Sequence, residues 1–177
     1  MHIGEPVDLT NEDQVASWIS GAVAELGGID VLYANAGATK FSPVAETGID
    51  EWDWVLKREL DIVFLPVKHS WKHLQASRGN IVLVGSTAGV AGSMTNTRLA
   101  HSATKGGVIA MTKQLAAEGA PHGIRVNCVS PGMVATPATA GDLLAEDHPM
   151  KQIARAIPLA RIGEPEEVVE CAKFLAS

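Results

Sequence analysis

Apolar positions recur along this chain with two different periods, and the alternation between those periods predicts its elements. Val15, Trp18, Ile19, Ala22, Val23 and Leu26 follow helical spacing. Thr10 and Asp13 make a capping pair ahead of them, which predicts a helix over 11–26 that ends at Gly27-Gly28. The run 29–34 is short, apolar and closed by Asn35-Ala36-Gly37, and so predicts a strand buried on both faces that delivers a tight turn. Thr47 and Asp50 repeat the capping pattern before a long helix running to about Ala76, with a kink or break expected at Pro66. Two further buried strands are predicted over 79–86 and 123–130, separated by a helix over 100–118 that carries Val108, Met111 and Leu115 on one face. Pro165 suits the first turn of a last helix, in which Val168, Cys171, Ala172 and Leu175 share a face.

Strands alternating with helices of this length imply a single α/β domain over 1–177. Its expected form is a doubly wound parallel sheet, Rossmann-like, with helices on both faces in three layers. Ligands of such sheets sit beyond the carboxyl ends of the strands, where Asn35-Ala36-Gly37, Ser86 and Ser130-Pro131-Gly132 all fall.

Composition narrows the function classes. With 177 residues, 46% of them hydrophobic, and 17 Gly and 9 Pro, the chain has globular rather than disordered or collagen-like composition. Its 14 Lys+Arg against 20 Asp+Glu, a net charge of −6, provide no basic stripe for nucleic acid or anionic lipid. No run approaches the roughly 18 consecutive apolar residues of a membrane span, and the N-terminus lacks the features of a signal peptide, so a cytoplasmic protein is expected. Cys128 and Cys171 have no metal or redox spacing and read as small buried hydrophobes. His69 and His73 lie four apart, but no third ligand is evident, and no metal is expected. Trp18, Trp52, Trp54 and Trp71 fall on helices and read as packing residues.

From Asp30 to Ser177 the chain resembles the short-chain dehydrogenase/reductase family, on motifs that occur in the family's order. Asn35-Ala36-Gly37 matches the Asn-Ala-Gly segment, Ser86 the catalytic serine, Thr104-Lys105-Gly106-Gly107 the segment holding the catalytic lysine, and Ser130-Pro131-Gly132-Met133-Val134-Ala135-Thr136 the loop that meets the nicotinamide. Asp8-Leu9 looks like the pair that contacts adenine. The resemblance implies NAD(P)-linked interconversion of a secondary alcohol and a carbonyl compound. In that reading Ser86 polarises the oxygen and Lys105 binds the ribose. Asp8, Asn35, Ala36, Gly37, Pro131, Gly132, Val134 and Thr136 complete the cofactor site. It also implies a homo-oligomer, dimer or tetramer, built through the two long helices.

Three departures from the family follow. The family tyrosine four positions before the lysine is His101 here, and the one tyrosine of the chain is Tyr33. Positions i and i+4 share a helix face, so His101 and Lys105 keep the family's spacing. Imidazole has a reference pKa near 6.5. Beside an ammonium it is held toward its neutral form, which favours alcohol oxidation at neutral pH. Glu59 stands at the place of the family's relay asparagine, where a carboxylate is expected to pair with Lys105, to take over the proton relay, or to face solvent. Finally, no Gly-x-Gly-x-x-Gly turn is present, and the pattern runs from a third strand around 2–8 to a point before the family's last strand. A catalytically inactive homologue serving as an oligomerisation module is the alternative expectation, and the loop over 138–150 is expected to shape the substrate pocket.

Overall fold

The computed structural model describes residues 6–94, 96–137, 139 and 157–177. Within them lie α1 (Glu12–Leu26), β1 (Val31–Ala34), α2 (Ile49–Leu56), a π turn (Lys57–Asp61), α3 (Ile62–Ser77), β2 (Asn80–Val84), α4 (Leu99–Gly119), β3 (Arg125–Val129) and α5 (Pro165–Ala176). The strands form one parallel sheet in the order β1-β2-β3, with Val31 opposite Asn80 and Asn80 opposite Arg125. Right-handed crossover helices are what parallel neighbours require, and α3 and α4 occupy those connections.

The central strand shows how the layers arise. Ile81 and Leu83 point into a cluster with Val63 and Val67 of α3 and Val108 of α4, whereas Val82 points the other way onto Val129 and Ala172 of α5. Period-two alternation therefore buries both faces of β2, and each fully buried aliphatic side chain contributes about 1.5–3 kcal/mol. Helix α1 packs against α3, with Val15 and Ile19 against Leu65. The three-layer arrangement expected from the alternation is the one observed.

Several local expectations are corrected. Asn11, not Thr10, caps α1, its Oδ1 accepting the Gln14 N–H at 3.1 Å. Thr10 is turned back by Asp8, whose Oδ1 accepts both the Thr10 N–H at 2.9 Å and its hydroxyl at 2.8 Å. Thr47 does not cap α2 either. Gly48 occupies that place, and the Thr47 hydroxyl donates to Pro43 O at 2.9 Å. Strand β1 is buried at Leu32 alone, with Val31 and Tyr33 exposed, because α5 covers β2 and β3 but not this edge. Of the strand expected around 2–8, residues 6–8 form no ladder and the remainder lies outside the described residues. Cys171 is exposed and Cys128 only partly buried, since the inward face of α5 is taken by Val168, Ala172 and Leu175.

Pro66 does not break its helix. The departure lies upstream at the π turn, which ends one residue before Ile62, the residue whose carbonyl the Pro66 ring crowds. Trp54 lies beneath Lys40 and Arg58 at 4.7 and 4.4 Å, fastening the loop after β1 to this turn. His69 and Lys68 both reach Glu12.

Candidate active site

A cavity of about 1070 Å³ opens beyond the carboxyl ends of the strands, with Ser86, His101, Lys105 and Glu59 in its walls. The backbone closes its floor. Gly85 N–H donates to Val129 O at 2.8 Å and Thr87 N–H to Pro131 O at 3.0 Å, so the end of β2 and the loop after β3 are tied together. Ser86 lies in extended backbone between them, and its Oγ accepts the Ala88 N–H at 3.1 Å. With a lone pair engaged there, the hydroxyl proton is available to the cavity as a donor.

Lys105 reaches the same cavity from α4. Its ammonium is buried and donates to Val84 O at 3.0 Å, and burial lowers its pKa from the usual lysine value, partly offset by the charge of Glu59. A glycine sets its position. A Cβ on Gly89 would stand 2.6 Å from the Lys105 carbonyl carbon and 2.7 Å from Gly106 N, so only glycine lets the segment after Ser86 lie against α4 at this point.

Glu59 is 3% exposed and is bonded to His101, not to Lys105. His101 Nδ1 stands 2.8 Å from Oε1 and 2.9 Å from Oε2 of the carboxylate, and the Thr104 hydroxyl donates to Oε2 at 2.7 Å. The expectations of a Glu59–Lys105 pair or a solvent-facing Glu59 are therefore corrected. The physical reason is the π turn, which adds a residue to the turn and directs Glu59 inward instead of along an outer helical face. The Arg58 carbonyl in the same turn accepts the Ala38 N–H at 3.2 Å, which holds the Asn35-Ala36-Gly37 loop against it. The ring of Phe41 meets His101 edge-on, 5.6 Å between centroids, and completes the imidazole's surroundings.

A carboxylate accepts and cannot donate, so Nδ1 carries the imidazole proton. In the neutral ring Nε2 is then the free acceptor, in a side chain that lines the cavity.

The cofactor candidates divide. Asn35, Lys105, Pro131, Gly132, Val134 and Thr136 line the cavity, whereas Ala36, Gly37 and Asp8 do not. Asp8 is engaged in its turn with Thr10, whose N–H and hydroxyl hold its carboxyl below the usual carboxylate range. Val134 is fixed by a parallel bridge to Gly163, and Thr136 N–H donates to the Thr139 hydroxyl at 2.8 Å. Apart from Thr139, the expected pocket loop over 138–150 lies outside the described residues. Lys105 has three ammonium protons and Val84 O takes one, so a pair of vicinal hydroxyls fits the remaining donors. The lining thus suits the nicotinamide–ribose half of a dinucleotide.

Sequence reasoning named Thr104 within the lysine segment but not its bond to Glu59, and it missed Phe41, Gly89 and Arg98, which also lines the cavity. Thr104 stands three residues after His101, a helical spacing that could have drawn attention to it, whereas Arg98 lies just outside the helix. Nothing local marks Phe41 or Gly89.

Comparison with known proteins gives the chain's family. A family model described as enoyl-(acyl carrier protein) reductase matches residues 2–177. The chain is 41% identical to cis-4-hydroxycyclohexanecarboxylate dehydrogenase of Sinomonas cyclohexanicum, over 96% of this chain and 67% of that protein. It is 36% identical to a protein of Xanthobacter autotrophicus named inactive 2-(S)-hydroxypropyl-CoM dehydrogenase 2, over 98% of this chain and 76% of that one. The solved structure of ElxO with NADP bound superposes with a TM-score of 0.90 at 28% identity, covering 97% of this chain and 69% of that one. The chain spans between 61% and 76% of the length of such curated relatives. Matched over nearly all its residues by relatives of this kind, the chain belongs to the short-chain dehydrogenase/reductase family.

Proposed function

We propose that this chain oxidises a secondary alcohol to a ketone with NAD or NADP, using His101 as the base in place of the family tyrosine. The observation that carries the reading is the bond between Glu59 and His101 Nδ1, which leaves Nε2 as an acceptor in the cavity shared with Ser86 and Lys105. A nicotinamide dinucleotide, when bound, takes the carbinol hydrogen as hydride. Ser86 donates a hydrogen bond to the substrate oxygen and orients it. His101 Nε2 accepts the hydroxyl proton, while Glu59 stabilises the imidazolium so formed. Lys105 holds the ribose hydroxyls and contributes a fixed positive charge beside the developing oxyanion. Asn35, Pro131, Gly132, Val134 and Thr136 hold the nicotinamide half, with Ala36, Gly37 and Asp8 assigned to the cofactor by family resemblance.

The bound NADP of the ElxO structure and the dehydrogenase names among the relatives support this chemistry. The relative named inactive favours the alternative, a non-catalytic homologue that assembles through α2–α3 and α4, where Phe64 is half exposed. A buried carboxylate aligned on an imidazole in the cleft favours retained chemistry over loss. Self-association through those helices and a cytoplasmic location, in keeping with two free cysteines, belong to the same proposal.

Calorimetric titration with both cofactors, followed by turnover of secondary alcohols by the wild type and His101→Ala, tests the reading. Saturable binding with turnover that His101→Ala abolishes is the expected result. A cooperatively melting chain that takes up neither cofactor would overturn it.

A further inference from the structure

Glu59, Arg98, His101 and Lys105 line the cavity, and three of these four have partners or roles. Glu59 and His101 are bonded to each other, and Lys105 is bonded to Val84 O. The fourth is Arg98. It immediately precedes α4, and its guanidinium has one contact among the described residues, Nη2 to Ala91 O at a long 3.4 Å. Its Nε is buried without any acceptor. No carboxylate of the described residues pairs with it.

A buried guanidinium nitrogen without an acceptor is costly; Nε is shut off from the cavity, so the Nη groups are the donors a ligand in the cavity can reach, and among the described residues Nη2 has only the long contact to Ala91 O. The fork of donors on arginine matches a carboxylate in two parallel hydrogen bonds, a fit that neither water nor a single carbonyl reproduces. The protein as a whole carries a net charge of −6, so an anion is drawn into this cavity only by local cations, of which Lys105 is engaged with Val84 O and assigned to the ribose, leaving Arg98. Arg98 caps the start of α4, three residues before His101, and both line the same cavity. The same lining carries apolar side chains, among them Phe41, Val134, Ile157 and Val168.

We infer that Arg98 is a specificity-determining residue, and that the alcohol substrate is a compact hydroxy acid whose carboxylate docks on Arg98 while its carbinol carbon faces Ser86 and His101. This rests on the alcohol oxidation proposed above and names its substrate class. The apolar walls suit a hydrocarbon body between the two polar ends. The name of the relative from Sinomonas cyclohexanicum is that of an enzyme for a hydroxy acid of this form.

The test separates binding from turnover. Cyclohexanecarboxylate and cyclohexanecarboxamide, which share a body but differ in charge, are titrated by saturation-transfer NMR against the wild type and Arg98→Gln. The wild type is expected to prefer the carboxylate by about 10- to 100-fold, and Arg98→Gln to abolish that preference. Turnover of cis-4-hydroxycyclohexanecarboxylate against its carboxamide should show the same change in the ratio of kcat/KM. Equal binding of the two probes to the wild type, or a preference that survives in Arg98→Gln, would overturn the assignment. Should Arg98→Gln fail to melt cooperatively, Arg98→Lys keeps the charge and loses the fork, and a reduced preference supports the assignment while an unchanged one overturns it. Carboxylate preference without oxidation of any alcohol leaves Arg98 assigned and instead refutes the proposed oxidation.

Discussion

Glu59 and His101 are 42 residues apart in the chain and share two contacts, Nδ1 to Oε1 at 2.8 Å and to Oε2 at 2.9 Å. The pair fixes one tautomer of the imidazole. Glu59→Gln keeps the shape but offers Nδ1 an amide that can donate, so the ring can present its N–H instead of its lone pair to the substrate. A fall in kcat of about 10² to 10⁴ is expected with KM for the cofactor little changed, measured by steady-state kinetics. An unaltered kcat would show that the pair is structural.

The same pair governs stability. Among the described residues, His101→Ala leaves a buried carboxylate with only the Thr104 hydroxyl as a side-chain donor, and should cost about 3 kcal/mol in urea denaturation. The double variant His101→Ala with Glu59→Gln removes the stranded charge. It should recover part of that loss, so the two substitutions should be clearly non-additive.

Gly89→Ala tests how the catalytic groups are held in place. Its methyl group would meet the backbone of Lys105 and Gly106 at 2.6 to 2.8 Å, and backbone cannot swing aside as a side chain can. A destabilisation of about 1–3 kcal/mol is expected, together with weaker cofactor binding because Lys105 is displaced. A variant as stable as the wild type, with unchanged cofactor affinity, would contradict the close approach.

Acid stability should depend on the start of α5. Arg161 donates to both oxygens of Glu167, at 2.8 and 2.7 Å, and the Glu164 N–H donates to one of them at 2.8 Å, which together bring the Glu167 carboxyl down to about 2. Because the folded value lies below the unfolded one, the stabilisation is complete above the ordinary carboxylate pKa and is lost as pH falls through the folded value. The melting temperatures of wild type and Glu167→Gln should therefore differ by a constant amount above pH 5 and converge toward pH 2. A gap that stays constant down to pH 2 would remove Glu167 from the acid response.

What was legible in the sequence was what a local pattern can carry. Alternating periods located three strands and the helices around them, because burial on a sheet or helix face is a local constraint with a fixed repeat. Ser86, His101 and Lys105 were legible because they stand at motif positions of the short-chain dehydrogenase/reductase family, with the i, i+4 spacing keeping His101 and Lys105 on one helix face. The partner of Glu59 was not legible. A regular helix would have sent that side chain elsewhere, and the π turn that brings it to His101 is stabilised by contacts with the loop after β1 and with α4. Arg98 was overlooked on similar grounds, because its lack of an acceptor becomes visible only once the surrounding carbonyls and carboxylates have been placed. Thus the sequence by itself determined the layers of the fold and the spacing of its candidate catalytic side chains. Only the tertiary structure decided which buried charges are paired and which one is left for a ligand, since charge pairing depends on distances of a few ångströms between segments that the chain order does not bring together.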